Sequence, residues 1–119
     1  MSTVLIVDDV ETDRLLMGKA VGSLGHRIEY AADGDEAVLK AKALKPDLVL
    51  LDIIMPKQDG FQTCRILKKD TATAQIPVVM VTSKSAESDR FWAQKQGCDA
   101  YVTKPFTPDS ITSVVRKFV

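Results

Sequence analysis

Asp52 stands directly after the apolar run Leu48-Val49-Leu50-Leu51, and Met55-Pro56 follows closely. Four apolar residues are too few for a buried helix and suit a strand covered on both faces. Pro56 lacks an N–H and biases Met55 away from the helical region, so regular structure stops there and Asp52 faces a loop. Other strand-like runs end in a similar way. Asp8 and Asp9 close Thr3 to Val7, Thr82 and Ser83 close Val78 to Val81, and Lys104 comes soon after Ala100 to Val102. Parallel strands bring such groups to one sheet edge, where open α/β sheets bind ligands.

Three carboxylates gathered at that edge repel one another and need a cation. A hard divalent ion that keeps several waters and takes oxygen ligands, most like Mg2+, meets the need. Lys104 adds a fixed positive charge and Thr82 a hydroxyl that can donate a hydrogen bond. The set is complementary to a phosphoryl group carried on one carboxylate. Phosphoryl transfer asks for an in-line nucleophile and neutralised equatorial oxygens more than for proton transfer. Asp52 is the candidate nucleophile, because its strand is central, and the product is an acyl phosphate. Asp8 and Asp9 then serve as metal ligands, and Lys104 pairs with Asp52 before transfer and with a phosphoryl oxygen after it.

The elements that must position these residues follow from periodicity. A helix from about Glu11 carries Met17, Ala20, Val21 and Leu24 on one face and ends at Gly25. Arg27 to Ala31 reads as a second strand, and Asp33-Gly34 leads into a helix with Ala37, Val38, Ala41 and Leu44 inward, stopped by Lys45-Pro46. After the Asp52 strand, Gly60 opens a helix with Phe61, Cys64 and Leu67 on its inner face, and Asp70 to Gln75 reads as a loop. A helix from about Ala86 to Gln96, with Phe91 as its core anchor and Gly97 closing it, precedes the fifth strand. The last helix has Pro108 in its first turn and Ile111, Val114, Val115 and Phe118 at helical spacing. Five strands alternating with five helices predict an α/β fold, a doubly wound five-stranded parallel sheet.

With 119 residues, 45% hydrophobic and 27% charged, the chain reads as one domain, residues 1–119, with no room for an output domain. Sixteen basic and sixteen acidic side chains cancel, so no overall field points to nucleic acid. The start has neither a positive leader nor a membrane-length apolar run. Cys64 and Cys98 form no disulfide framework or metal knuckle, which fits a reduced, cytoplasmic protein. Cys64 reads as a small core residue and Cys98 as a loop or strand-edge thiol. His26 reads as exposed and inert, Lys40, Lys42 and Lys45 as a solvated face, and Asp59-Gly60 as a turn and helix start. Trp92 either packs on the domain or marks a contact surface, since Phe91 takes the inward direction.

The ordered set Asp8-Asp9, Asp52 with Met55-Pro56, Asp59-Gly60, Thr82 and Lys104-Pro105 resembles the receiver domain of two-component response regulators, over essentially the whole chain. The resemblance implies a flavodoxin-like fold of strand order 2-1-3-4-5. It implies that Asp52 accepts a phosphoryl group from a phosphohistidine of a partner histidine kinase. It also implies magnesium held by Asp9, Asp52 and the backbone carbonyl of Ile54, with Asp8 acting through water. Thr82 and Tyr101 match the family's switch pair, in which the hydroxyl moves toward the phosphoryl group and the ring turns inward. Lys104-Pro105 matches the family's lysine and its cis peptide bond. Ile54 and Lys84 occupy the two positions that tune dephosphorylation in the family, and an apolar Ile54 cannot orient an attacking water.

The resemblance extends to single-domain regulators of chemotaxis and motility. The stretches Phe91 to Gly97, Asp99-Ala100-Tyr101 and Lys104-Pro105-Phe106 look most similar to the pilus and twitching-motility branch. A signalling protein of this kind, monomeric and not an enzyme on other substrates, would bind a downstream protein target through helix 4, strand 5 and helix 5, without nucleic acid or membrane insertion. Two alternatives are a phosphate sink for a shared kinase and a small phosphatase or phosphotransferase that works through an aspartyl phosphate.

Overall fold

A computed structural model describes residues 1–119. The chain runs β1 (Thr3–Val7), α1 (Glu11–Gly22), β2 (Arg27–Ala31), α2 (Gly34–Leu44), β3 (Leu48–Leu51), α3 (Gly60–Lys69), β4 (Val78–Thr82), α4 (Glu87–Lys95), β5 (Ala100–Thr103) and α5 (Pro108–Arg116). All five strands are parallel, in the order β2-β1-β3-β4-β5. This is the doubly wound order expected, and the chain reverses its direction of winding after β2, which places the crevice between β1 and β3.

Alternation along the strands splits the core into two layers. Val4, Ile6, Leu48, Leu50, Val79 and Val81 face Met17, Ala20 and Val21 of α1 and Ile111, Val114 and Val115 of α5. Leu5, Val7, Val49, Leu51, Val78 and Met80 face α2, α3 and α4 through Ala37, Ala41, Cys64, Leu67 and Ala93. The two layers explain why the central strands read as unbroken apolar runs: both faces are covered. Full burial of such side chains contributes about 1.5–3 kcal/mol each, which is what holds the strand ends rigid.

Local chemistry starts three of the helices. Asp33 caps α2 by accepting from the Glu36 N–H at 2.8 Å, and Asp59 caps α3 by accepting from the Gln62 N–H at 2.9 Å. Thr107 and Ser110 form a reciprocal capping box at α5, with Pro108 in the first turn. Gly97, at φ +98°, closes α4 in a backbone region that L side chains rarely adopt.

Several side chains depart from the sequence reading. Phe91 is not the anchor of α4, for it is 58% exposed, and Ala93 is the helix's buried residue. At about 100° per residue Ala93 lies on the face opposite Phe91, so inward placement of the methyl turns the ring into solvent. There the Lys95 ammonium sits 5.3 Å from its centroid. Trp92 is also half exposed, so neither aromatic points into the core. Leu44, in the last turn of α2, is exposed rather than inward. His26 is half-buried, and its Nδ1 accepts the Ser2 N–H at 3.2 Å, tying the start of β1 to β2. All three lysines read as a solvated face have partners: Lys40 pairs with Glu36 at 3.4 Å, Lys42 with Asp70 at 3.0 Å, and Lys45 donates to the Ala72 carbonyl at 3.3 Å.

Candidate functional site

Pairing places the candidate residues. Val7 lies opposite Leu51, so Asp8 and Asp52 leave adjacent strands side by side, and the Asp52 N–H donates to the Val7 carbonyl at 3.0 Å. Asp8 is fully buried, Asp52 nearly so, and Asp9 is exposed. Carboxylate oxygens of the three lie within 4.8 Å of one another. Asp52 is pinned at both ends of its loop. Its Oδ1 accepts the Ile54 N–H at 3.2 Å, and Gly60 at the start of α3 lies so close that a Cβ there would stand 2.3 Å from the Asp52 carbonyl oxygen.

Lys104 reaches the cluster from the end of β5, where its N–H donates to the Thr82 carbonyl at 2.8 Å and its bond to Pro105 is cis. Its ammonium is 2.8 Å from Asp8 Oδ2, 2.8 Å from Asp13 Oδ2 and 3.1 Å from Asp52 Oδ2. An ammonium has three donors, and each here meets a carboxylate. Burial works to lower the Lys104 pKa, but the hydrogen bonds to Asp13 and Asp8 and the charge of Asp52 outweigh it, so the amine stays protonated well above the ordinary lysine range. Burial raises the Asp8 pKa, against the hydrogen bonds from Lys104 and the Val10 N–H that favour its charged form. The cluster is thus a negative pocket with one built-in cation. Its donors are all oxygen and partly open to solvent at Asp9, which suits a small hard divalent ion.

A model of the response regulator receiver domain family matches residues 4–116. The chain belongs to that family. The receiver is 39% identical over 116 residues to Protein PilH of Pseudomonas aeruginosa, covering 98% of this chain and 96% of that one. It is 32% identical to Protein PilG of the same organism, covering 98% of this chain and 86% of that one. Other relatives are longer: the chain spans 46% of a transcriptional regulatory protein, PhoP, of Bacillus subtilis, at 36% identity. Among solved structures, chemotaxis protein CheY4 of Vibrio cholerae superposes with a TM-score of 0.94 at 26% identity, over 100% of this chain and 99% of that one.

Around the acidic cluster the receiver carries a second, less polar assembly. Thr82 is fully buried at the end of β4, and its Oγ1 accepts the Lys84 N–H at 3.4 Å. The Tyr101 hydroxyl donates to the Lys84 carbonyl at 2.7 Å, and the ring packs against the α3–α4 side of the core. The Arg90 guanidinium stands 4.7 Å from the ring centroid. Burial, then the charge of Asp89, pushes the Tyr101 phenol up to about 12. Thr82 at the end of β4 and Tyr101 on β5 are therefore both bonded to Lys84 in the loop between β4 and α4, with the ring already turned inward. Ile54 presents its side chain largely to solvent beside Asp52.

Sequence reasoning brought Asp8, Asp9, Asp52 and Lys104 together but passed over Asp13, Arg14 and Arg90. Arg14 donates to the Asp8 carbonyl at 2.8 Å. No local spacing marks Asp13, which sits in the first turn of α1, 91 residues from Lys104. It reads first as an ordinary acidic residue in a helix's opening turn.

Proposed function

We propose that this receiver is a phosphorylation switch in which Asp52 takes a phosphoryl group from a phosphohistidine of a partner histidine kinase. The observation that carries the proposal is the meeting of Asp52 with Asp8, Asp9 and Lys104 at one sheet edge. An Asp52 oxygen attacks phosphorus in line, the P–N bond to the donor imidazole breaks, and the imidazole keeps that electron pair and takes up a proton. Lys104 moves its contact from Asp52 to a phosphoryl oxygen, and Asp8, Asp9, Asp52 and the Ile54 carbonyl are the groups that would hold magnesium. When bound, that ion supplies neutralisation of the phosphoryl charge.

Thr82 then turns its hydroxyl from the Lys84 N–H toward the phosphoryl group, and the loop that carries Lys84 follows, taking with it the carbonyl to which Tyr101 is bonded. The surface of α4, β5 and α5 changes with it and binds a target protein. The receiver acts on itself alone rather than as an enzyme on other substrates, and works in the cytoplasm. Similarity to a chemotaxis protein supports a role in taxis or motility, as does 43% identity over 101 residues to a gliding motility regulatory protein of Myxococcus xanthus, of whose length this chain spans 13%. Ile54 cannot orient a hydrolytic water and the Lys84 ammonium lies 3.8 Å from Asp89, so the phosphoryl group is released slowly.

Incubation with Mg2+ and acetyl phosphate should add one hydroxylamine-labile phosphoryl group by intact mass, and Asp52→Asn should add none. Uptake unaffected by Asp52→Asn refutes the site. Release of phosphate within seconds refutes the role given to Ile54.

A further inference from the structure

Asp13 is the one carboxylate on Lys104 that no part of the reaction above uses. It comes from the first turn of α1 rather than from a strand end, and its Oδ2 takes a Lys104 hydrogen at 2.8 Å, shorter than the 3.1 Å contact to Asp52. The three partners differ in exposure. The side chains of Asp8 and Asp52 are 0% and 5% exposed, whereas that of Asp13 is 30% exposed.

We propose that Asp13 is a positioning residue: it draws the Lys104 ammonium toward α1 and competes with the group carried on Asp52 for that charge. All three ammonium hydrogens are engaged, so a phosphoryl oxygen gains Lys104 only when one carboxylate lets go. The Asp52 contact passes to the phosphoryl oxygen that Asp52 then carries, and Lys104 must follow that oxygen outward; of the two remaining partners, releasing Asp8 strands a buried charge, which is costly. Releasing Asp13 returns a carboxylate to water that already reaches it. Asp13 is therefore the contact that yields, and its grip sets how readily Lys104 transfers. The inference rests on the reading of Asp52 as phosphoacceptor.

Replacing the Asp13 charge by a neutral acceptor of the same shape should ease the transfer. The Asn amide still accepts from the ammonium but loses the ion-pair attraction of a part-exposed carboxylate, worth up to about 1 kcal/mol, or about five-fold in an equilibrium constant. The test is the affinity for beryllofluoride at saturating Mg2+, followed by amide chemical shifts, in wild type, Asp13→Asn and Asp13→Glu, with Mg2+ affinity measured separately. Asp13→Asn should bind beryllofluoride up to about five-fold more tightly, and Asp13→Glu should return toward the wild-type value. A merely structural role would weaken binding in Asp13→Asn along with thermal stability. Unchanged or weaker binding by Asp13→Asn, with wild type binding normally, overturns the inference alone. Failure of wild type both to bind beryllofluoride and to take up a phosphoryl group overturns the reading of Asp52 and this inference together.

Discussion

Gly60→Ala is a one-methyl test of how tightly the phosphoacceptor loop is held. A Cβ at Gly60 would stand 2.3 Å from the Asp52 carbonyl oxygen, 2.6 Å from the Ile53 Cα and 2.9 Å from the Asp52 carbonyl carbon. All three are backbone atoms, so no rotamer change relieves the overlap, and either α3 or the end of β3 must shift. Overpacking of this kind costs about 1–3 kcal/mol, and a backbone clash belongs at the upper end. Alanine's better helix propensity returns up to about 1 kcal/mol, leaving a net loss of about 2 kcal/mol. For a chain of 119 residues, unfolding entropy is about 0.25 kcal/mol/K, so Tm should fall by about 8 °C.

Gly18→Ala is the comparison, because its Cβ meets the far end of the Tyr30 side chain, which can swing aside. Its Tm should fall by less. A displacement of about 1 Å at a reacting group can cost about 100-fold in rate, so uptake from acetyl phosphate by Gly60→Ala should drop at least ten-fold, about the lower part of that range. A Gly60→Ala protein melting within about 2 °C of wild type, with normal uptake, would refute the claim that α3 clamps Asp52.

Three further outcomes are expected. Mg2+ at about 100 times its Kd should stabilise the receiver by about 2.7 kcal/mol, raising Tm by about 11 °C, and Asp9→Asn should lose most of that rise; an equal rise in the variant speaks against Asp9 as a ligand. The Tyr101 phenol, pushed up to about 12 from 10.0, favours the folded state fully below pH 10 and loses that contribution as pH climbs through 12. Phenolate absorbance should show a late step near pH 12 that Tyr101→Phe removes, and no such step means that the ring is not buried as described. Burial raises the Cys64 thiol to about 12 and the Cys98 thiol to about 11. Both should therefore react slowly with iodoacetamide at pH 8, Cys98 first, and a fast Cys64 would show that α3 opens readily.

Much of the fold was legible because its strands are short, apolar and closed by charged or hydroxyl residues, a pattern that local composition alone produces. Asp8, Asp9, Asp52 and Lys104 were legible for the same reason, since strand ends converge whatever the loops do. Phe91 misled because a helix face is decided by what lies under it, and here the inner position takes only the methyl of Ala93. Asp13 was missed because its partner, Lys104, is 91 residues away and the two meet only through the packed fold. The inward ring of Tyr101 came from resemblance; nothing in its neighbours' periodicity separates a bonded phenol from an exposed one. Arg90 was invisible for a related reason, since its stacking on that ring requires β5 and α4 to lie together.

The single methyl that anchors α4 has a thermodynamic corollary. A helix that fully buries one alanine and leaves two aromatic rings half exposed has little to lose on coming away from the sheet, so its local opening free energy should lie far below that of β3 or β4. Amide hydrogens of α4 should exchange with solvent through brief local openings while those of the central strands wait for global unfolding. A partner that covers Phe91 and Trp92 would then do more than recognise a surface; it would supply the apolar burial that α4 lacks on its own.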